Sequence, residues 1–205
     1  MTTEKVEKVE EDAGIPTAIE AHIDLTALHL DYFINLVTNT VNFSGEFTLE
    51  TVEALMIRMD FLMLHNPEMD INLRISSYGG EAYALFSLID YIHSLPVKVN
   101  GFAFGAAMSS GAWLLTCLTG KRYMGKNATL LIHEGATAMD GKTSDMISTA
   151  TQMQWIRDTM LTMLVKHTKK TKKFWTDGLT KELYLDAETC LKYGMIDAIG
   201  GQSAT

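Results

Sequence analysis

Residues 97–133 run VKVNGFAFGAAMSSGAWLLTCLTGKRYMGKNATLLIH, and the way this stretch divides decides the fold. Residues 97–104 (VKVNGFAF) are rich in β-branched and aromatic side chains and read as a strand. Residues 109–118 are apolar on every side, the mark of a buried helix. Residues 122–124 (RYM) and 128–132 (ATLLI) read as further strands, the last ending at His133. The uncharged part of the stretch, residues 100–120, is long enough to cross a bilayer. Its Gly, Ala and Ser content, with no second span or aromatic belt, makes it instead a strand feeding a buried helix.

The same alternation extends outward. Residues 41–47 read as a strand turning at Gly45. Residues 48–65 carry Leu49, Val52, Leu55, Met56, Met59, Leu62 and Met63 on one helical face, with Thr48 or Thr51 as cap and Asn66-Pro67 as stop. INLRI (71–75) is a strand, SSYGG after it a tight glycine-bearing loop, and residues 81–95 a helix stopped by Pro96. Strands alternating with helices give an α/β fold with a mainly parallel sheet. Downstream, residues 143–167 form a long helix. Its apolar stripe is Met146, Ile147, Ala150, Met153, Ile156, Met160, Met163 and Leu164. The helix follows a glycine-containing segment and is expected to project, which would require a partner to cover the stripe. KHTKKTKKF (166–174) reads as solvated surface, with a docking patch for an acidic partner as the alternative. Asp186 caps a last helix that Gly194 ends, and residues 196–199 make a closing strand.

Residues 1–20 are a charged tail, and a short helix with irregular structure is expected within 15–37. Residues 21–205 make one domain, within the size that a single core supports. The formal net charge of −8 argues against nucleic acid as a partner, because phosphate contacts need clustered positive charge. Cys117 and Cys190 lack metal-ligand spacing and are expected to be reduced and packed in helices. The acidic N-terminus has no apolar core, so it is not a signal peptide, and the cytoplasm is the expected location.

Chemistry points to Ser109. It stands where a strand gives way to a helix, a turn that presents a side chain at the sheet edge beside free helix N–H groups. The Ser110 N–H is one donor for an oxyanion, and Gly80, at the end of an adjacent strand, offers a second. His133 closes another strand at its carboxyl end, within reach of acting as general base. His65 and His93 end helices, where they suit the dipole. No GxSxG, HExxH or P-loop motif is present. On these residues alone, a binding module with a glycine-rich loop remains an alternative to a hydrolase.

The order of segments resembles the proteolytic subunit of the Clp protease. NPEMDINLRISSYGGEAYALFSLIDYI is similar to that family's strand, Ser-Pro-Gly-Gly turn and helix. GAAMSSGAWLLTCLTGKRYMGKNATLLIHE is similar to its nucleophile helix and histidine-bearing strand, and ETCLKYGMIDAI to its closing helix. By position the resemblance implies Ser109 as nucleophile, His133 as base, and the Gly80 and Ser110 N–H groups as oxyanion hole. Glu182 falls where the family has an aspartate, ahead of Asp186 and the more distant Asp177. Tyr78 stands where the family has proline, Met108 where it has Ala, Ser110 where it has Met, and His-Glu-Gly where it has His-Gln-Pro. The resemblance also implies a crotonase-like fold of repeated ββα units with a projecting handle helix. It implies heptameric rings stacked as a tetradecamer, unfolded polypeptides as substrates, an AAA+ unfoldase as partner, and no metal or organic cofactor. The competing readings are a catalytically inactive or partner-activated ring subunit, a crotonase-type acyl-CoA enzyme, and a capsid-maturation protease.

Overall fold

The computed structural model describes residues 25–135 and 140–201; the charged tail lies outside them. The chain orders as α1 (Leu25–Asp31), β1 (Ile34–Asn35), β2 (Thr40–Phe47), α2 (Leu49–His65), β3 (Ile71–Gly80), α3 (Ala82–Ser94), β4 (Val99–Met108) and α4 (Ser110–Cys117). It continues as β5 (Arg122–Met124), β6 (Thr129–Ile132), α5 (Thr143–His167), α6 (Lys172–Leu179), β7 (Leu183–Leu185), α7 (Ala187–Tyr193) and β8 (Ala198–Ile199). Among the described residues the strands form one sheet in the order β1-β2-β3-β4-β5-β8, with β6 pairing β4 and β7. The ladders from β2 through β5 to β8 are parallel, as is β4 with β6, while β1–β2 and β6–β7 are antiparallel. This is an α/β structure with a mainly parallel sheet.

Strand β4 decides the geometry. Its first half pairs with β5 (Gly101↔Arg122 to Ala103↔Met124) and its second half with β6 (Ala106↔Thr129 to Met108↔Leu131). The switch falls at Gly105, whose φ of +69° few side-chain-bearing residues adopt. The sheet therefore splits along β4, and β6 with β7 forms a flap beside the carboxyl end of β4.

The SSYGG segment is a correction. It does not form a loop; β3 runs on through it to Gly80. Alternate residues Ile71, Leu73, Ile75, Ser77 and Gly79 keep facing the interior. The extra length is absorbed by register shifts against β2 between Ser44 and Glu46, and against β4 after Ile75. Ser77, buried, stitches the irregularity: its hydroxyl donates to the Gly45 carbonyl and accepts from the Gly79 N–H at 3.0 Å. Glycine at 79 and 80, with φ of +106° and +146°, permits the strand to bend without breaking.

Helix α2 is capped as its sequence suggests. Thr48 Oγ1 accepts from the Thr51 N–H at 3.1 Å, and Thr51 Oγ1 accepts from the Thr48 N–H at 3.0 Å, so both threonines serve. Val52, Leu55, Met59 and Leu62 are buried against the sheet. Helix α4 is buried on every side, and Trp113 Nε1 ties it to α5 through the Met160 carbonyl at 3.0 Å. Helix α5 spans the expected residues, but only Ile156, Leu161 and Leu164 are buried. Ile147 and Ala150, nearer its start, are exposed, as the stripe of a partner-seeking helix requires.

The basic run is a second correction. Its latter half begins α6, capped by Thr171. Trp175 is fully buried and donates from Nε1 to Thr168 Oγ1 at 2.9 Å. Lys170 lies over the rings of Tyr193 and Phe174, with Nζ 4.1 and 4.7 Å from their centroids. The lysine-rich segment is therefore partly a packed surface, not a wholly solvated one. Both cysteines are free and buried, and burial pushes each thiol up to about 12. No helix among the described residues is long and apolar enough to cross a membrane.

Candidate active site

Ser109 joins the end of β4 to the start of α4. Its backbone sits at φ 49°, ψ −126°, a combination that an L-residue with a side chain rarely adopts. Neighbouring bonds hold it there. The Ser109 N–H donates to the Leu131 carbonyl at 2.8 Å, and the Ser109 carbonyl accepts from Ala112 and Trp113 in α4. The side chain caps nothing. An N-cap serine normally spends its oxygen on the helix; here the strained turn leaves the hydroxyl uncommitted at the helix N-terminus. The Ser110 N–H is among the amides that α4 itself cannot satisfy.

Gly79 packs directly on this turn. A Cβ at Gly79 would lie 2.6 Å from the Ser109 Cβ and 2.9 Å from the Met108 carbonyl, so only glycine fits. A Cβ at Gly80 would strike the Phe47 backbone, at 2.4 Å from its carbonyl oxygen. The edge of β3 that carries the Gly80 carbonyl faces α4, because that carbonyl accepts from Ser110 Oγ at 2.9 Å. Ser109, Ser110, Gly79 and Gly80 are thus brought together from two strands that are far apart in sequence.

His133 is the first residue beyond β6. The Met108↔Leu131 pairing and the Ser109 N–H bond to Leu131 set the end of β6 beside the serine turn. On the far side of His133, the Glu134 N–H donates to the Leu179 carbonyl at 3.0 Å. The Glu134 carboxylate stands 3.3 Å from Arg157 Nε of α5, an ion pair out of hydrogen-bonding alignment. Glu182 directly precedes β7. Continuing the Ile132↔Leu183 register by one residue sets Glu182 opposite His133, where antiparallel neighbours share a face. No hydrogen bond joins His133 to Ser109 or to Glu182 among the described residues; the Glu182 carboxylate instead accepts from the Tyr184 hydroxyl at 3.3 Å.

The other candidates are occupied elsewhere. Asp186 accepts from the Thr189 N–H at 2.8 Å as the cap of α7, and its bonds to Thr189 hold its carboxyl below the usual range. Asp177 pairs with Lys173 at 2.8 Å on the surface of α6. His65 Nδ1 bonds the Phe61 carbonyl and His93 Nε2 the Cys117 carbonyl, both near helix ends as expected. A cleft of about 560 Å³ lies at the opposite, amino ends of β4 and β5, lined in part by Asn100, Arg122 and His167. It contains none of the candidate catalytic residues and is set aside on that ground.

With this geometry in place, comparison with known proteins is decisive. The family model of the Clp protease matches residues 29–203. The chain belongs to the Clp protease family. A similar relative is the ATP-dependent Clp protease proteolytic subunit of Deinococcus radiodurans, 30% identical over 176 residues, covering 84% of this chain and 86% of that protein. Family membership makes the chain a peptidase subunit of the Clp type. The bifurcated β4 of this Clp protease sets both the glycine pair of β3 and the end of β6 beside the Ser109 turn. Its two edges carry β3 and β6 to the same end.

Sequence reasoning passed over two contributors. Ser77 fixes the approach of β3 to Ser109, and the Ser110 side chain joins β3 to α4. Ser77 did leave a trace, being a polar residue at an inward position of the Ile71, Leu73, Ile75 alternation, where a buried hydroxyl needs a partner. The Ser109 turn also left one. Ala107 and Gly111 flank it at two residues on either side, the small neighbours that a sharp strand-to-helix turn demands.

Proposed function

We propose that this chain hydrolyses peptide bonds by acyl transfer through Ser109. His133 takes the Ser109 proton as the hydroxyl attacks the substrate carbonyl, then returns it to the leaving amine. The Gly80 and Ser110 N–H groups hold the oxyanion at the N-terminus of α4, where the helix dipole adds positive potential. Glu182 orients the imidazole and stabilises its cation. Water then releases the acyl group by the same route in reverse.

The observation that carries this reading is the Ser109 turn, with its strained backbone, uncommitted hydroxyl and glycine-only contact with β3. Serine Oγ and imidazole stand apart in many free enzymes and close on substrate or assembly. The exposed Ile147 and the half-exposed Trp155 on α5 support assembly into stacked rings through that helix. Within such rings, unfolded polypeptides delivered by an AAA+ unfoldase in the cytoplasm would be the substrates. The test is labelling with a fluorophosphonate, read by intact mass and peptide mapping, alongside cleavage of a fluorogenic peptide. A single adduct on Ser109, with cleavage lost in Ser109→Ala and in His133→Ala, is expected. An unlabelled Ser109 in assembled, cleaving protein would overturn the assignment.

A further inference from the structure

The mechanism above uses only the backbone of Ser110, yet its side chain is 2% exposed and bonded to a single target, the Gly80 carbonyl. That bond joins the two residues whose amides the mechanism asks to converge. Gly79 and Gly80 are the most freely rotating pair the chain could place there. Their backbone pairs with β2 (Glu46↔Gly79, Phe47↔Gly80), and three further bonds fasten the segment. The Gly79 N–H is tied to Ser77 Oγ at 3.0 Å, the Glu81 N–H to the Phe47 carbonyl at 2.8 Å, and the Gly80 carbonyl to Ser110 Oγ at 2.9 Å. Only the last of these connects β3 to the helix that carries the nucleophile turn.

We infer that the Ser110 hydroxyl is a positioning residue for the oxyanion hole. By clamping the Gly80 carbonyl, it fixes the Gly80–Glu81 peptide plane against α4 and so limits the rotation at Gly80 that would turn its N–H away before substrate arrives. An oxyanion hole stabilises its transition state because its donors need no reorganisation. Without the clamp the glycine pair keeps its ties to β2 and Ser77 but loses its bond to α4, and the Gly80 amide gains freedom relative to the Ser109 turn. The inference rests on the proposed roles of Ser109 and Gly80, and it gives the side chain at 110 a task that a hydrophobic residue cannot perform.

The experiment compares the full-length protein with Ser110→Ala, which keeps the backbone N–H, and with Ser110→Thr and Ser110→Cys, which keep a donor. Ser109→Ala is the control for the underlying reading. Four quantities are read: kcat and KM on a fluorogenic peptide, affinity for a peptide boronate that forms a tetrahedral adduct, affinity for the matching cleaved peptide, and assembly by sedimentation. Ser110→Ala is expected to lower kcat about five- to tenfold, the effect of losing one buried hydrogen bond. KM should stay within about twofold, since ground-state binding is untouched. Boronate affinity should fall by the same factor as kcat/KM while cleaved-peptide affinity and assembly stay unchanged, and at least one donor-keeping variant should recover part of the loss. Unchanged kcat, or a loss of kcat with boronate affinity intact, would overturn the clamp while leaving Ser109 as nucleophile. Full activity in Ser109→Ala would remove both.

Discussion

At Ser109 the backbone stores strain at the turn where the proposed chemistry would take place. A side-chain-bearing residue at φ 49°, ψ −126° costs on the order of 1–3 kcal/mol, and the cost is met by the carbonyl and amide bonds around the turn. A glycine would adopt the same angles freely. Ser109→Gly is therefore expected to unfold at a higher temperature than Ser109→Ala, by about 1 kcal/mol after allowing for the greater freedom of glycine in the unfolded chain. Both variants should be inactive towards the fluorogenic peptide. Calorimetry of the two proteins checks this; equal stabilities would mean that the turn relaxes. Gly79 gives the complementary case. Its missing Cβ leaves room for the Ser109 Cβ, so Gly79→Ala must push the two strands apart. A loss of at least about 100-fold in kcat/KM with about 1–3 kcal/mol of destabilisation is expected, since overpacking here displaces the reacting group itself. The sequence linked Ser109, Gly80 and His133 only through their order in a family-like pattern. The strain at 109 and the contact at 79 depend on three-dimensional proximity that no local spacing encodes.

Strands β6 and β7 bear on the proposed third catalytic group. Glu182 and Asp186 lie on either side of β7, and the structure gives them different occupations. Asp186 satisfies the first turn of α7, whereas Glu182 lies one residue beyond the Ile132↔Leu183 pair, on the continuation of the ladder towards His133. The two substitutions should separate accordingly. Asp186→Ala is expected to cost about 1 kcal/mol of stability, the value of an N-cap, with kcat nearly unchanged. Glu182→Ala is expected to leave the unfolding temperature in place and lower kcat by about 100-fold or more. Parallel denaturation and kinetics on both variants would reverse the assignment if Asp186→Ala were the slow enzyme. Elements with their own period or punctuation were readable from sequence: α2 from its apolar face and threonines, α5 from its length, and α7 from Asp186 and Gly194. Those defined by partners were not. β7 has three residues and exists because β6 pairs with it. α6 was hidden by a lysine-rich run in which Lys170 lies over Phe174 and Tyr193 while Trp175 goes inside. The extension of β3 through SSYGG needed Ser77 and two positive-φ glycines to turn what reads as a loop into bulged strand.

On the scale of the molecule, α5 reaches from a buried end to an exposed one, and the two ends make separate predictions. Ile147, 63% exposed, touches little within the chain, so Ile147→Asp should leave the stability of the isolated subunit within about 0.5 kcal/mol. If the helix joins rings, the same change should halve the assembled mass in sedimentation, and an unaltered mass would place the interface elsewhere. The buried end meets the rest of the fold at Arg122. That guanidinium bonds both Asp197 oxygens, at 3.1 and 2.8 Å, and donates to the carbonyls of Thr116 and His167, linking β5 to the C-terminal ends of α4 and α5 and to the approach to β8. His167 sits in this junction beside Lys166, His93 and Arg122. Burial first, and then those cations, hold its pKa below the ordinary histidine value. The folded state thus favours the neutral ring. The stability this contributes is complete above the unfolded pKa of about 6.5 and is lost as pH falls through the lower folded value. Asp197, held low chiefly by its bond to Arg122, acts in a more acidic window, below about 4. Melting temperature should therefore fall in two stages on acidification, the first beginning below about pH 6.5. His167→Gln should flatten that first stage and leave the second, because glutamine keeps a polar side chain at the junction but takes up no proton. A first stage that persists in His167→Gln would assign it to another group, and the junction would then hold α5 by packing and the Arg122 bonds alone.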